Sequence, residues 1–191
     1  YKRQGSEPQY LDPHLASSVS AHNVISALIE GLVSEDPKTL KPVPGVAEKW
    51  DISEDGLLYI FHLRKNAQWS NGDPVTAHDF VYSYRRILNP NLASQYASML
   101  HGLKNARKYH EDGVSWEEAG VGAIALDDHT LQLTLENPTP YFLELLNHYS
   151  WFPAHPPTIE KFNAFEKQGT PWTRPGNYAV SYTHLRAHET S

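Results

Sequence analysis

Apolar positions along the chain repeat with two periods, and the alternation between them sets out the elements. Val24, Ala27, Leu28 and Leu32 recur at helical spacing behind a run of serines able to cap, with Gly31 near the end, and this predicts a helix over 20–31. The stretch VSEDPKTLKPVPGVAEKW (33–50) carries three prolines and a glycine and reads as a loop or short edge strand followed by a turn. WDISEDGLLYIFHLR (50–64) then alternates as a hairpin about Asp55-Gly56. Its second strand sets Leu58, Ile60 and His62 on one side and Tyr59, Phe61 and Leu63 on the other, the pattern of a strand covered on both faces.

A turn at Ser70–Pro74 leads into a second helix, where Thr76 and Asp79 have capping-box spacing and Phe80, Val81, Tyr84 and Leu88 form the apolar stripe. Residues 93–112 read as a further helical pattern, and 114–120 as a turn with at most a short helix. VGAIALDDHTLQLTL is a second hairpin with Asp127-Asp128-His129 at its tip. Short helices are expected at 141–147 and 157–166, separated by a proline-rich stretch. The expected core holds Val46, Trp50, Tyr59, Phe61, Leu63, Trp69, Phe80, Val81, Tyr84, Ile124, Leu131, Leu133, Leu135, Tyr141, Phe142 and Leu145. Short strands mixed with helices make the fold class α/β or α+β.

Charge narrows the functional classes. A net charge of -6 over 191 residues argues against a basic nucleic-acid face. The clusters RRILNP and KNARK are expected as solvated helix faces. There are no cysteines, so thiolate chemistry and disulfides are excluded. No apolar run reaches the roughly 18–20 residues that span a bilayer. The chain opens on Tyr1 without a leader, which reads as a removed signal peptide or a piece of a longer protein.

Candidate chemistry is sparse. Phosphate-loop, nucleophile-elbow and metalloprotease motifs are all missing from the sequence. His78-Asp79 suits a helix start, where a carboxylate complements the dipole. Asp127-Asp128-His129 suits a turn, too open to shift a pKa usefully. His148 and His155 are seven apart with no carboxylate between, not a metal-ligand spacing. No catalytic residue, metal or cofactor is therefore expected. The 5 Trp and 11 Tyr exceed what a small core needs and suit a cleft for an extended polymer or peptide.

One stretch carries a pattern specific enough to name a family. GVAEKWDISEDGLLYIFHLRKNAQWSNGDPVTAHDFVYSYRRILNP (45–90) resembles the signature region of solute-binding protein family 5, the extracytoplasmic receptors of peptide-importing ABC transporters. The matching positions are Ala47, Trp50, Tyr59, Phe61, Leu63, Arg64, Trp69, Gly72, Pro74, Thr76, Ala77, Asp79 and Phe80. GSEPQYLDPHL, ASQYASMLHGLKNA and PWTRPGN extend the likeness to the oligopeptide-binding branch over about residues 1–178.

The resemblance implies the N-terminal part of a periplasmic-binding-protein type II-like lobe. Residues 1–29 and 154–178 would belong to a partial first domain, and 30–153 to the small second domain peculiar to the family. It further implies an oligopeptide ligand, ABC permease subunits as partners, no nucleic acid, a monomer, and a periplasmic or cell-surface location, lipid-anchored in a Gram-positive source. By positional match, Ser17, Ser18 and Val19 would offer backbone groups to the ligand and Tyr96 would line a side-chain pocket. The loop SSVS departs from the more acidic loop of relatives, which leaves pocket charge open. Three alternatives are carried: a sensor or chaperone, a receptor for a murein peptide or nickel complex, and, remotely, a hydrolase. Residues 179–191 include VSYTHLRAHET, which looks like translated adapter sequence, and are expected to be a non-native tail, exposed and with few contacts to residues 1–178.

Overall fold

The computed structural model describes residues 11–174, 176, 177 and 180–182. Residues 1–10, and 183–191 with His184 and His188, lie outside the described residues, so the expectations on them are not addressed.

Helix α1 (Val19–Leu28) begins where Ser18 Oγ accepts the Ala21 amide at 3.2 Å. It ends before the expected residue 31, because Ile29 turns extended. Gly31 serves close approach instead of capping: a Cβ there would sit 2.7 Å from the Phe152 ring. Strands β1 (Val33–Glu35) and β2 (Pro42–Pro44) pair antiparallel, so the short-strand reading holds, as a small hairpin over 33–44. Just beyond it, a Cβ on Gly45 would sit 2.7 Å from the Gly31 carbonyl oxygen, so only backbone fits at this crossing.

Strands β3 (Ala47–Ile52) and β4 (Leu58–Leu63) form the expected hairpin, with Gly56 supplying a φ of 68° in the turn. β5 (Gln68–Trp69) precedes α2 (Ala77–Ile87), α3 (Ala106–Glu111) and α4 (Trp116–Ala119), followed by β6 (Ala123–Asp127) and β7 (Thr130–Thr134). Four strands make one antiparallel sheet in the order β3-β4-β7-β6, and α2 lies against β6 and β7. Tyr59, Phe61 and Leu63 are buried on the inner face, while Leu58, Ile60 and His62 stay half-buried. The expectation of a strand covered on both faces is thus corrected: the antiparallel sheet leaves one face toward water.

The signature region builds the entry to α2. Asp79 Oδ2 accepts the Thr76 amide at 3.1 Å and the Trp69 indole N–H at 2.9 Å. The carbonyl of Asp128, at the β6–β7 tip, accepts the Ala77 amide at 2.9 Å. Asp127 in that tip accepts from the His129 amide and the Thr130 hydroxyl, the turn role expected of it. The helical pattern over 93–112 is split into a 3₁₀ segment (Ala97–Gly102) and α3, because Asn105 takes a left-handed conformation.

The chain closes with α5 (Phe142–Leu145), α6 (Pro156–Lys161) and β8 (Ser181–Tyr182). α6 stops short of 166, where Asn163 is left-handed. β8 pairs with β5, and Ser70 N–H donates to Val180 O at 2.7 Å. The start of the expected non-native tail therefore pairs with the signature turn through backbone groups, which any side chain permits.

Among the described residues, buried side chains fall into three clusters. The largest runs from Leu32 to Trp151 and includes Phe61, Trp69, Phe80, Tyr84, Leu131 and Phe142. A second gathers Ala16, Ala21, Ile25, Ile29, Tyr149 and Phe152, and a third Ala154, Ile159, Ala164 and Trp172. Of the expected core, Ile124 is 47 % and Tyr141 60 % exposed, the first on the open sheet face. Trp50, Val81 and Leu145 are half-buried.

Arg86 corrects the reading of RRILNP as a solvated face. Arg85 is exposed, but Arg86 is 0 % exposed. Its Nη1 and Nη2 donate to Asp12 Oδ1 and Oδ2 at 2.9 and 2.6 Å. Nη1 also donates to His14 Nδ1 at 2.7 Å, and Nε and Nη2 to the Ala164 carbonyl at 3.2 and 3.0 Å. The Trp172 indole donates to Asp12 at 3.1 Å, and its ring lies 5.6 Å from the guanidinium. Burial pushes the Asp12 carboxyl up, but the Arg86 charge and its hydrogen bonds outweigh this and hold it below the ordinary value. Burial, then the Arg86 charge, lowers His14 to about 3. A neutral His14 accepts from Arg86 through Nδ1 and donates through Nε2 to the Phe152 carbonyl at 3.3 Å.

Three outcomes follow from this packing. Trp69→Ala removes a buried indole and a partner of Asp79, and should cost about 3–5 kcal/mol in urea unfolding; an unchanged midpoint would refute the plug role. Arg86→Met strands the buried Asp12 carboxylate and should cost about 3–5 kcal/mol, with part of the loss recovered by adding Asp12→Leu. His14 regains a pKa of about 6.5 when unfolded. Between that value and about 3 the unfolded chain binds more protons, so stability is whole above about pH 6.5 and falls as pH drops toward 3. His14→Gln should flatten that slope, and an equally steep profile in the variant would contradict the assignment.

Candidate ligand-facing site

The residues singled out for ligand contact come from two distant stretches. Ser17, Ser18 and Val19 are exposed at the start of α1. The Ser18 hydroxyl is engaged in capping and lies 3.1 Å from the Ser20 hydroxyl, so that side chain is committed locally. Val19 is 77 % exposed, an apolar side chain presented outward from the first helical turn.

Tyr96 is held from the other stretch. The Ser94 hydroxyl donates to the His14 carbonyl at 2.6 Å and accepts the Tyr96 amide at 3.3 Å. The Tyr96 ring then stands edge-on to Tyr149 at 5.9 Å and to His148 at 5.0 Å. Tyr149 closes the link: its hydroxyl donates to the Ala16 carbonyl at 2.9 Å, next to Ser17. The fold thus brings the Ser17–Val19 loop and Tyr96 to one surface, with Tyr149 as the joint. Burial, and then Tyr96, pushes the Tyr149 phenol up, so it remains a hydrogen-bond donor.

His148 and His22 complete this surface and were not singled out for it from sequence. Their rings lie 6.5 Å apart, and His22 is 5.5 Å from Tyr149. Burial, and then the charge of His22, lowers the His148 pKa, which favours a neutral ring. The one available signal was the aromatic pair His148-Tyr149 beside the proline-rich stretch. A cavity of about 390 Å³ adjoins, lined in part by His22, Ser26, Glu30, Asn147 and His148. Ser26 Oγ and Asn147 Nδ2 are buried there without a hydrogen-bond partner, leaving polar groups to receive water or ligand.

His155, far in role from His148, forms a different grouping. Its Nε2 lies 2.9 Å from Asp73 Oδ2 and its Nδ1 2.7 Å from Thr158 Oγ1. An Asp–His–hydroxyl relay is the arrangement a hydrolase needs. Here His155 is 3 % exposed, stands at the N-cap position of α6 and packs against the Trp69 ring at 5.3 Å. Both ring nitrogens are engaged, and the trio fastens the signature turn to α6. His78 lies 3.6 Å from Asp128, both exposed, a loose pair at a helix start.

Residues 41–181 match the family described as bacterial extracellular solute-binding proteins, family 5 Middle. The chain is 46 % identical over 182 residues to the periplasmic oligopeptide-binding protein OppA of Salmonella typhimurium, covering 94 % of this chain and 32 % of that protein. It is 39 % identical over 173 residues to the periplasmic murein peptide-binding protein MppA of Escherichia coli, covering 90 % and 30 %. Among solved structures, Haemophilus influenzae OppA in complex with RPPGFSPFR superposes with a TM-score of 0.83 at 41 % identity, over 92 % of this chain and 33 % of that one. The Escherichia coli murein tripeptide binding protein MppA gives 0.82 at 36 % identity, over 91 % and 32 %. The chain spans about a third of the length of these relatives.

The Tyr149 joint yields one expectation. Tyr149→Phe removes the bond to Ala16 and should cost about 1 kcal/mol of stability, with amide shifts at Ser17–Val19 in NMR spectra. Unperturbed signals there would break the link between the two stretches.

Proposed function

Because the chain belongs to the bacterial extracellular solute-binding proteins of family 5, we propose that it forms part of an extracytoplasmic receptor that captures oligopeptides for an ABC importer. The observation that carries the reading is the shared surface of the Ser17–Val19 loop and Tyr96, joined through Tyr149. In it, Ser17, Ser18 and Val19 offer main-chain groups to an extended peptide, as a strand edge does. Tyr96, with His148 beside it, forms the wall of a side-chain pocket. Main-chain pairing is indifferent to sequence, and a roomy aromatic wall tolerates varied side chains, which together suit a receptor for many peptides.

The work is binding and not catalysis. A peptide is held between this wall and a facing lobe, and closure of the two buries it and creates the shape the permease reads. Residues 1–29 and 154–178 form the part of the receptor that bears the loop, and 30–153 form a small domain with its own core. The receptor acts as a monomer in the periplasm or at the cell surface, and its negative charge leaves nucleic acid out of its repertoire.

One wall desolvates one side of a ligand, so the 191-residue chain alone should bind a tri- to pentapeptide pool weakly. Millimolar peptide should shift amide signals at Ser17–Val19 and near Tyr96, and Tyr96→Ala should remove the effect. Micromolar affinity in calorimetry, or shifts confined elsewhere, would overturn the mapping.

A further inference from the structure

Among the described residues, His62, His78 and His155 each lie against a carboxylate, while two other histidines meet away from the Tyr96 surface. His101 sits in the 3₁₀ segment Ala97–Gly102 and His110 in α3, and the fold sets His101 Nε2 at 2.8 Å from His110 Nδ1. Glu111 follows His110, with Oε1 3.8 Å from His101 Nδ1. One ligand atom from each of the three lies within 4.8 Å of the others.

We propose that His101, His110 and Glu111 bind a divalent transition-metal ion of the zinc class. Two imidazole nitrogens and a carboxylate oxygen form a donor set suited to such an ion, whereas calcium and magnesium call for oxygen ligands. Metal–nitrogen bonds of about 2.0–2.1 Å in a tetrahedral site put the two nitrogens about 3.3 Å apart. The rings therefore need to part only slightly from their present contact. His101 is the fixed donor, its side chain 10 % exposed. Glu111 is half-exposed and holds Arg107 in a 3.7 Å ion pair that water competes with, so its carboxylate is free to turn to an ion.

The surroundings fit. A cavity of about 490 Å³ adjoins His101, lined also by Arg107, Lys108, Asp112 and Glu136. It opens the His101 side of the trio to water, and the half-exposed Glu111 carboxylate opens the other. Bound there, the metal cross-links the 97–102 segment, which follows Tyr96 directly, to the C-terminal turn of α3. Without metal, the two imidazoles share a single N–H···N hydrogen bond, and the experiment separates these states.

The metal-stripped chain would be titrated with Zn²⁺ and Co²⁺, with His184→Ala and His188→Ala in the background to remove the one pair four residues apart near the C-terminus. One ion per chain is expected, with the visible absorption of four-coordinate Co²⁺ and a melting temperature raised by Zn²⁺. His101→Ala, His110→Ala and Glu111→Gln should each weaken binding by more than about tenfold, since even outer-shell losses commonly cost that much. Glu111→Gln is a surface change and keeps the test open if a histidine variant fails to fold. No ion bound at micromolar Zn²⁺, or affinity unchanged in Glu111→Gln and His110→Ala, would overturn the site.

Discussion

The buried ion pair between Arg86 and Asp12 is the constraint on which the rest of the structure hangs. A guanidinium carries five N–H donors, and each one here meets an acceptor on Asp12, His14 or the Ala164 carbonyl. Those acceptors come from the N-terminal segment and from the stretch after α6, while Arg86 itself belongs to α2. Three parts of the chain distant in sequence are fixed at one point. A charge this deep tolerates no partial arrangement, because each lost partner leaves an unpaired polar group out of reach of water.

The same network reaches the surface proposed to face the ligand. Arg86 holds the ring of His14, the His14 carbonyl takes the Ser94 hydroxyl, and Ser94 sets the amide of Tyr96. A second arm runs from Tyr149 to Ala16, one residue before the exposed loop. The aromatic wall and the loop are thus mounted on opposite ends of one hydrogen-bonded frame. This suits recognition, which needs a surface of lasting shape. The polar clusters away from it serve assembly: His155 with Asp73 and Thr158, and Asp79 with Trp69, fasten the signature turn.

Much of this was legible in the residues. Asp55-Gly56 and Asp127-Asp128-His129 marked their hairpins, and Thr76 with Asp79 marked the start of α2, because turns and caps are local chemistry. The family signature likewise pointed to the relatives that the comparisons found. What escaped was set by partners far along the chain. Arg85 and Arg86 read alike side by side, yet one faces solvent and the other the interior, and only Asp12 decides which. His22 and His148 belong to the surface because α1 crosses the 147–152 turn, a contact no spacing records. Ile124 alternates correctly but lies on the face that no helix covers. The expected helix over 93–112 failed at Asn105, whose left-handed backbone answers to packing and not to periodicity.

Gly31 touches Phe152, and Gly45 crosses Gly31 with only backbone between them. The stretch 32–151, which encloses the main sheet and the largest cluster, therefore has its two chain ends side by side, while Arg86 within it reaches across to Asp12 and Ala164. A segment whose two ends meet can be inserted into a parent fold without a gap in the backbone. Descent can then redesign what lies far from the joint, provided that Arg86 keeps its acceptors and that Gly31 and Gly45, where any side chain would jam the crossing, stay bare.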